Sequence, residues 1–532
     1  MNYAKHVSSR QTPASEPIPG TNQVANHGGG YSFTVDCWGQ LHRFLILGSE
    51  GGTYYVGERK LTIDNANCVL TCGNADPDRA VATVASVSLA GRAPKNDSAI
   101  FALALLASRG NDRCRRLALD ALSNVCRIPT HLFQFISFCK EMRGWGRGIR
   151  EAVSRWYNEK PVDKLAYQTT KYRNRAGYTH RDALRLAHPK TDNAARNALY
   201  RYLTKGIAAD DPTTTDESLA IVRGFEQISA LTEKDVKAAV KLIETYKMSW
   251  EHIPTPLLNS VEVWETLLPH MPPTALVRNL GKMTSIGLLK PMSAATKLVV
   301  AHLTDKAQLK AARVHPLAIL LAQNTYGQGH GIKGGLTWSP VSNITAALED
   351  AFHAAFDAVE PTGKNHLLCL DVSGSMGWSF LANTGLNART ASACMAIVTA
   401  KTEPWTQTLG FSHTLLPLNI DKNTSLREAE NIIERMNCGS TNCSLPMQYA
   451  LQNKLEVDAF IVYTDSETNT GDIHPCQALR QYNKAMSRNA KLIVAAMTAT
   501  NITIADPNDA NMLDVVGFDA SCPAVMSDFV RS

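Results

Sequence analysis

Long apolar runs are missing from this 532-residue chain. The longest, Ala99–Ala107, falls far short of the roughly 20 residues that a membrane-spanning helix needs, which excludes helical membrane insertion. The opening stretch MNYAKHVSSRQTPASEPIPG lacks the apolar core of a secretory signal, so a cytoplasmic location is expected. The twelve cysteines fall singly or in loose pairs such as Cys68/Cys72 and Cys438/Cys443. None has the paired short spacing of a zinc site, and a chain this long does not need disulfide staples. They read as reduced thiols. No Gly-x-Ser-x-Gly elbow is present, which argues against an α/β-hydrolase, and no strict internal period is visible. What remains, 44% hydrophobic and 19% charged residues, is the composition of an ordinary globular protein, long enough for about two to four domains.

Net charge is also small, at +6, but it is unevenly spread. Arg109–Lys205 holds 21 Lys/Arg against 8 Asp/Glu, a local +13, and the rest of the chain sums to −7. A concentrated positive region in a slightly acidic chain is an electrostatic footprint for a polyanion.

In chain order, the Pro- and Gly-rich residues 1–30 read as a disordered lead-in. Leu41–Leu47 and Thr53–Val56, either side of Gly48–Gly52, read as a small β-hairpin. From about Asn65 to Leu321 helix follows helix, with apolar residues at three and four spacings, as in Leu117, Ala121, Leu122 and Val125. One of these, from Thr274, is expected to stop at Gly281. Short loops between helices of roughly ten to fifteen residues suit an α-solenoid of HEAT type, a binding architecture. After the Gly-rich Tyr326–Trp338 the pattern changes. From Leu367 strands alternate with helices, which predicts a doubly wound, mostly parallel sheet covered on both faces.

The first strand of that region ends in LLCLDVSGSMG, Leu367–Gly377. Asp371, Ser373 and Ser375 give one carboxylate and two hydroxyls on one loop beyond a strand's carboxyl end, where ligands of open α/β sheets sit. Thr441 and Asp465 lie on two further loops predicted at the same sheet edge. Two carboxylates and three alcohols suit a hard cation, Mg²⁺ first and Mn²⁺ or Ca²⁺ after it, and leave affinity for one more anionic ligand. These residues look like the metal-ion-dependent adhesion site of a von Willebrand factor A domain. A vestigial loop with serines as helix caps is the alternative. A phosphotransferase with Asp371 as nucleophile is disfavoured, because the second aspartate such enzymes carry two residues on is here Ser373.

The basic stretch interleaves cations with aromatics and glycines. Arg143, Trp145, Arg147 and Arg150 form one cluster. Lys171, Arg175, Tyr178, His180, Arg185 and His188 form another. Guanidinium groups take phosphates in bidentate fashion and aromatics stack on unpaired bases, so RNA fits better than a membrane surface. A solvated face of a solenoid, with Trp145 and Tyr178 in the core, is the alternative. Gly144–Gly148 has no preceding strand and does not read as a nucleotide-binding loop.

Together these stretches resemble the Ro autoantigen ribonucleoprotein family, a helical-repeat TROVE module followed by a von Willebrand factor A domain. The likeness is carried by Arg43–Tyr55, Gly144–Arg147, Lys171–His188, His252–Thr255 and Asp371–Met376. It places the lead-in at 1–30, the RNA-binding module at 31–360 and the metal-site domain at 361–532. It implies a non-catalytic, monomeric protein whose helical repeats close into a ring. The ring's outer basic face would bind small noncoding Y RNAs, with Lys171, Arg175 and His188 in contact. The central hole would admit single-stranded 3′ ends of misfolded RNAs, in quality control and stress response beside a 3′ exoribonuclease. Tyr178 stands where the family's tryptophan is expected. A protein-interaction scaffold, its metal site capturing a partner's carboxylate, is the runner-up, and a metal-dependent hydrolase is a third reading.

Overall fold

A computed structural model describes residues 11–48, 58–206, 215–331, 335–356, 359–381, 386–436 and 439–532. The chain forms two compact units. One comprises the residues up to Cys72, Arg92–Ser98 and Phe356–Ser532; the other comprises Gly73–Gly91 and Ala99–Ala355. The strands are, in chain order, β1 (Val24–Ala25), β2 (Tyr31–Thr34), β3 (Asn174–Arg175), β4 (Tyr178–Thr179), β5 (Asn365–Asp371), β6 (Trp405–Phe411), β7 (Leu415–Leu418), β8 (Ala459–Thr464), β9 (Lys491–Ala496), β10 (Ile502–Thr503) and β11 (Met512–Val516).

The first unit is built on a six-stranded sheet in the order β11-β9-β8-β5-β6-β7. All its pairings are parallel except β6 with β7. Fully buried apolar runs such as Leu367–Leu370 and Phe460–Tyr463 are what a sheet covered on both faces requires. The strand order reverses at β5, so Asp371 at its carboxyl end stands at the switch point where ligands of such sheets bind.

Two expectations for the start of the chain are overturned. Residues 11–30 are not a disordered lead-in. Thr12 N–H donates to Gln477 Oε1 at 3.0 Å, Ala14 N–H to the Gly471 carbonyl at 2.9 Å, and β2 pairs with both β1 and β10. The glycines that suggested disorder serve close approach instead: a Cβ at Gly30 would stand 2.1 Å from the Thr468 carbonyl oxygen. Leu41–Leu47, expected as a strand of a hairpin, lies in the helix Cys37–Leu47, capped by Asp36, which accepts from Gly39 N–H at 2.7 Å. The other expected strand, 53–56, lies outside the described residues. Residues up to Cys72 thus belong with the sheet unit, so the expected boundary at 30 does not separate the two units, while the later change of unit falls at Ala355/Phe356, a few residues before the expected 360. A short unbroken apolar run cannot by itself distinguish a buried helix from a strand.

The second unit is helical, as expected. Its helices pack neighbour on neighbour, from Pro77–Ala90 through Arg147–Glu159, His180–Ala187 and Ala220–Ser229 to Ser342–Ala354. Gly91 caps Pro77–Ala90 in the left-handed conformation (φ 69°), and a Cβ there would lie 2.9 Å from the Cβ of Arg313, which follows Lys306–Ala311. The first and last parts of the series therefore meet, the closure that a ring needs. The helix at Thr274 does not end at Gly281; it runs Pro273–Ser285. That glycine makes room for the Trp338 ring, which a Cβ would meet at 2.7 Å. Among the described residues no helix is long and apolar enough to cross a membrane.

Candidate metal site and candidate nucleic-acid face

In the sheet unit the structure brings together what the loops promise. Asp371, Ser373, Ser375, Thr441 and Asp465 are all buried. Asp371 Oδ1 accepts from Ser373 N–H at 2.9 Å and Oδ2 from the Thr464 hydroxyl at 2.6 Å. The Ser373 and Ser375 hydroxyls stand 3.1 Å apart. The Thr441 loop is tied to the loop beyond β8, since Asn469 N–H donates to the Thr441 carbonyl and Asn469 Oδ1 accepts from Thr441 N–H, each at 2.9 Å.

Two oxygens at this site, Thr441 Oγ1 and Asp465 Oδ2, are buried without a hydrogen-bond partner. Such orphaned acceptors are uncommon in native interiors and call for an unseen partner. Burial pushes the Asp371 and Asp465 carboxyls above the usual carboxylate range, and the Asp371 charge adds to the rise at Asp465. A divalent cation among these oxygens would offset that repulsion and satisfy both orphans. Among the described residues no group of three His, Cys, Asp or Glu is placed to hold a metal, so any cation here rests on hydroxyls as well as carboxylates. Thr464, directly before Asp465 at the end of β8, holds Asp371, a role that sequence spacing alone does not reveal.

The helical unit arranges the basic stretch differently from its order in sequence. Ala176 (φ 50°) and Gly177 (φ 76°) form the tight turn between antiparallel β3 and β4, with both central residues left-handed as a two-residue hairpin favours. Thr179 and Asp182 then form a reciprocal capping box that starts His180–Ala187. The hairpin presents Arg175 on the surface, and the helix presents Arg185 and, at its left-handed end, His188. An open groove of about 780 Å³ brings Lys140, Tyr178, Asp182 and Arg185 together. The Lys140 ammonium lies 5.8 Å from the centre of the Tyr178 ring. Trp145 is half-buried and donates from Nε1 to the Leu186 carbonyl at 3.1 Å. Arg143, Arg147 and Arg150 are exposed, Arg147 in an ion pair with Glu151.

Two expected RNA contacts sit elsewhere. His180 is buried, its Nδ1 2.8 Å from Tyr157 Oη and its Nε2 2.9 Å from the Tyr172 carbonyl. Burial holds its pKa down near 4. It is a neutral core residue and cannot offer a cation to phosphate. Burial works against the Lys171 charge, but Glu251 at 3.3 Å together with Tyr172 and Tyr167 more than offsets it and raises the pKa; the side chain is only 10% exposed and lies against Tyr167 and Tyr172. Lys140 falls within the basic stretch but is not among the residues expected to contact RNA; sequence does not show that the fold brings Tyr178 to it.

Two domain models match the chain, the TROVE domain over residues 24–218 and 240–330 and the Ro60 vWA domain over residues 365–530. The chain belongs to the Ro60 family of TROVE proteins. It is 40% identical to the RNA-binding protein RO60 of Deinococcus radiodurans, over 100% of this chain and 99% of that protein. It is 36% identical to the RNA-binding protein RO60 of Caenorhabditis elegans, over 96% of this chain and 90% of that one. The crystal structure of the Deinococcus radiodurans RO (RSR) protein superposes with a TM-score of 0.70 at 41% identity, covering 93% of this chain and 99% of that structure.

Proposed function

We propose that this chain binds RNA without catalysing its turnover. Small structured noncoding RNAs of the Y class would dock on the basic face of the helical unit, and single-stranded 3′ ends of misfolded RNAs would enter the ring. The observation that carries the reading is the groove lined by Lys140, Tyr178 and Arg185 among Glu141 and Asp182, with the exposed Arg175 next to the lining Ala176 in the chain and Arg143 and His188 also exposed. Cations around a half-exposed ring are what phosphate and an unpaired base require together. The names of the relatives support the same direction. The cellular role we infer is RNA quality control and stress response in the cytoplasm, as a monomer that selects RNA and presents it to a 3′ exoribonuclease.

For the sheet unit we propose a bound divalent cation, Mg²⁺ before Mn²⁺ or Ca²⁺. Asp371, Ser373, Ser375 and Thr441 would hold it and Asp465 would orient a coordinating water. The cation would supply a Lewis-acidic point for a carboxylate on a protein partner. The orphaned Thr441 and Asp465 oxygens support this. Binding of a small structured RNA to purified wild-type and Arg175→Ala/Arg185→Ala protein tests the first proposal. Weaker, less salt-sensitive binding by the variant is expected. Unchanged binding would leave the metal-dependent protein scaffold as the better reading.

A further inference from the structure

A second open cavity in the helical unit, of about 490 Å³, lies between Val162–Lys171, Ala194–Lys205 and Ala220–Ser229. That is within the range of about 300–1,000 Å³ common for small-ligand sites. Its rim mixes charges of both signs. Arg173 and Arg181 are exposed cations there, but the carboxylate of Glu226 faces the same space. The carboxylate is held in place, since Tyr202 Oη donates to its Oε1. Arg173 is held too, its guanidinium 5.5 Å from the centre of the Phe225 ring that forms part of the floor.

A fixed carboxylate repels phosphate, so it does not serve general RNA affinity. It is an acceptor-only group that reads donors on a base edge. A guanidinium backed by an aromatic ring is a flat platform on which an unpaired base stacks. Among the four RNA bases only guanine offers two adjacent donors, N1–H and the N2 amino group, that match one carboxylate. We propose that this cavity binds a single unpaired guanosine of a bound RNA. Its base stacks on Arg173, its N1–H and N2–H donate to Glu226, and a flanking phosphate meets Arg181. The inference rests on the RNA-binding reading above and adds a base preference to it.

Fluorescence anisotropy with the full chain and nine-residue oligouridines carrying one central guanosine, inosine or adenosine tests it. Guanosine RNA is expected to bind at least about fivefold tighter than either other, since one bidentate base contact discriminates by about 1–3 kcal/mol. Inosine, which lacks only the N2 amino group, isolates the second donor. Glu226→Gln is expected to erase the preference while oligouridine binding stays within about twofold; Glu226 is exposed, and a melting curve checks the fold. Tyr202→Phe is expected to reduce the preference. Equal affinity for all three RNAs, or a preference that survives Glu226→Gln, would overturn the proposal and leave general RNA binding standing. Absence of any RNA binding would overturn both. Guanosine monophosphate bound as tightly as the guanosine RNA would assign the cavity to a free nucleotide instead.

Discussion

The Thr464 hydroxyl donates to Asp371 Oδ2 at 2.6 Å and joins the carboxyl ends of β8 and β5, which run side by side. With Ser373 N–H on the other oxygen, the aspartate is oriented before any cation arrives. A ligand that binds only the folded state at about 100 times its Kd stabilises by about 2.7 kcal/mol. Saturating Mg²⁺ is therefore expected to raise the Tm of the wild-type protein by several degrees, and chelation to reverse the rise. Asp371→Ala is expected to abolish the Mg²⁺ dependence, and Thr464→Val to shift it to higher concentration. Calorimetric melts with and without the ion check this.

Arg175 and Lys171 are four residues apart and are expected to respond differently. Arg175→Ala removes an exposed cation, so RNA affinity should fall and its salt slope should drop by about one, with stability within about 0.5 kcal/mol. Lys171→Ala leaves Glu251 partly buried and unpaired, so it should lower stability by about 1–3 kcal/mol as well. Parallel binding and urea titrations separate the two.

His180 and His252 are both held near a pKa of 4, first of all by burial. In the unfolded chain each titrates near 6.5, so on acidification the unfolded state takes up the proton first. Their contribution is full above about pH 6.5 and is lost as pH falls toward 4, on the order of 3 kcal/mol for each. The stability of the helical unit should fall between pH 6.5 and 5. His180→Gln should flatten that slope and leave RNA affinity at pH 7.5 unchanged, in melts and binding isotherms taken on the same samples.

Gly30 has backbone within 2.1 Å of where a Cβ would stand, so the N-terminal segment cannot keep its seat with a side chain there. Gly30→Val is expected to destabilise by about 2 kcal/mol or more and to open residues 11–34 to protease. Limited proteolysis followed by mass spectrometry reads the new cuts.

Much of the sheet unit was legible in sequence, because a parallel strand buried on both faces leaves an unbroken apolar run, as at Leu367–Leu370, with its chemistry at a fixed end. Asp371, Ser373, Ser375 and Asp465 lie at or just past the ends of β5 and β8 and were legible as site candidates for that reason, whereas Thr441 was read from its loop before the helix Leu445–Gln452. The helical face was legible only as charge. Spacing within Lys171–His188 does not show that His180 turns inward to Tyr157, nor that Lys171 finds Glu251 eighty positions on. The same limit hid the docking of residues 11–30, which depends on hydrogen bonds to residues beyond position 460. Cys37–Leu47 was misread because its apolar run, without a visible period, suits strand and helix alike.

The central claim, that exposed cations of the helical unit's basic stretch hold RNA by its phosphates, is tested most directly by the salt dependence of binding. The affinity of one small structured RNA is measured from 50 to 300 mM salt for wild-type and Arg143→Ala/Arg175→Ala/Arg185→Ala protein. Each lost phosphate contact lowers the log–log slope by about 0.9, so the triple variant should bind more weakly with a slope smaller by roughly two to three. Equal affinity and equal slope for the two proteins would contradict the claim.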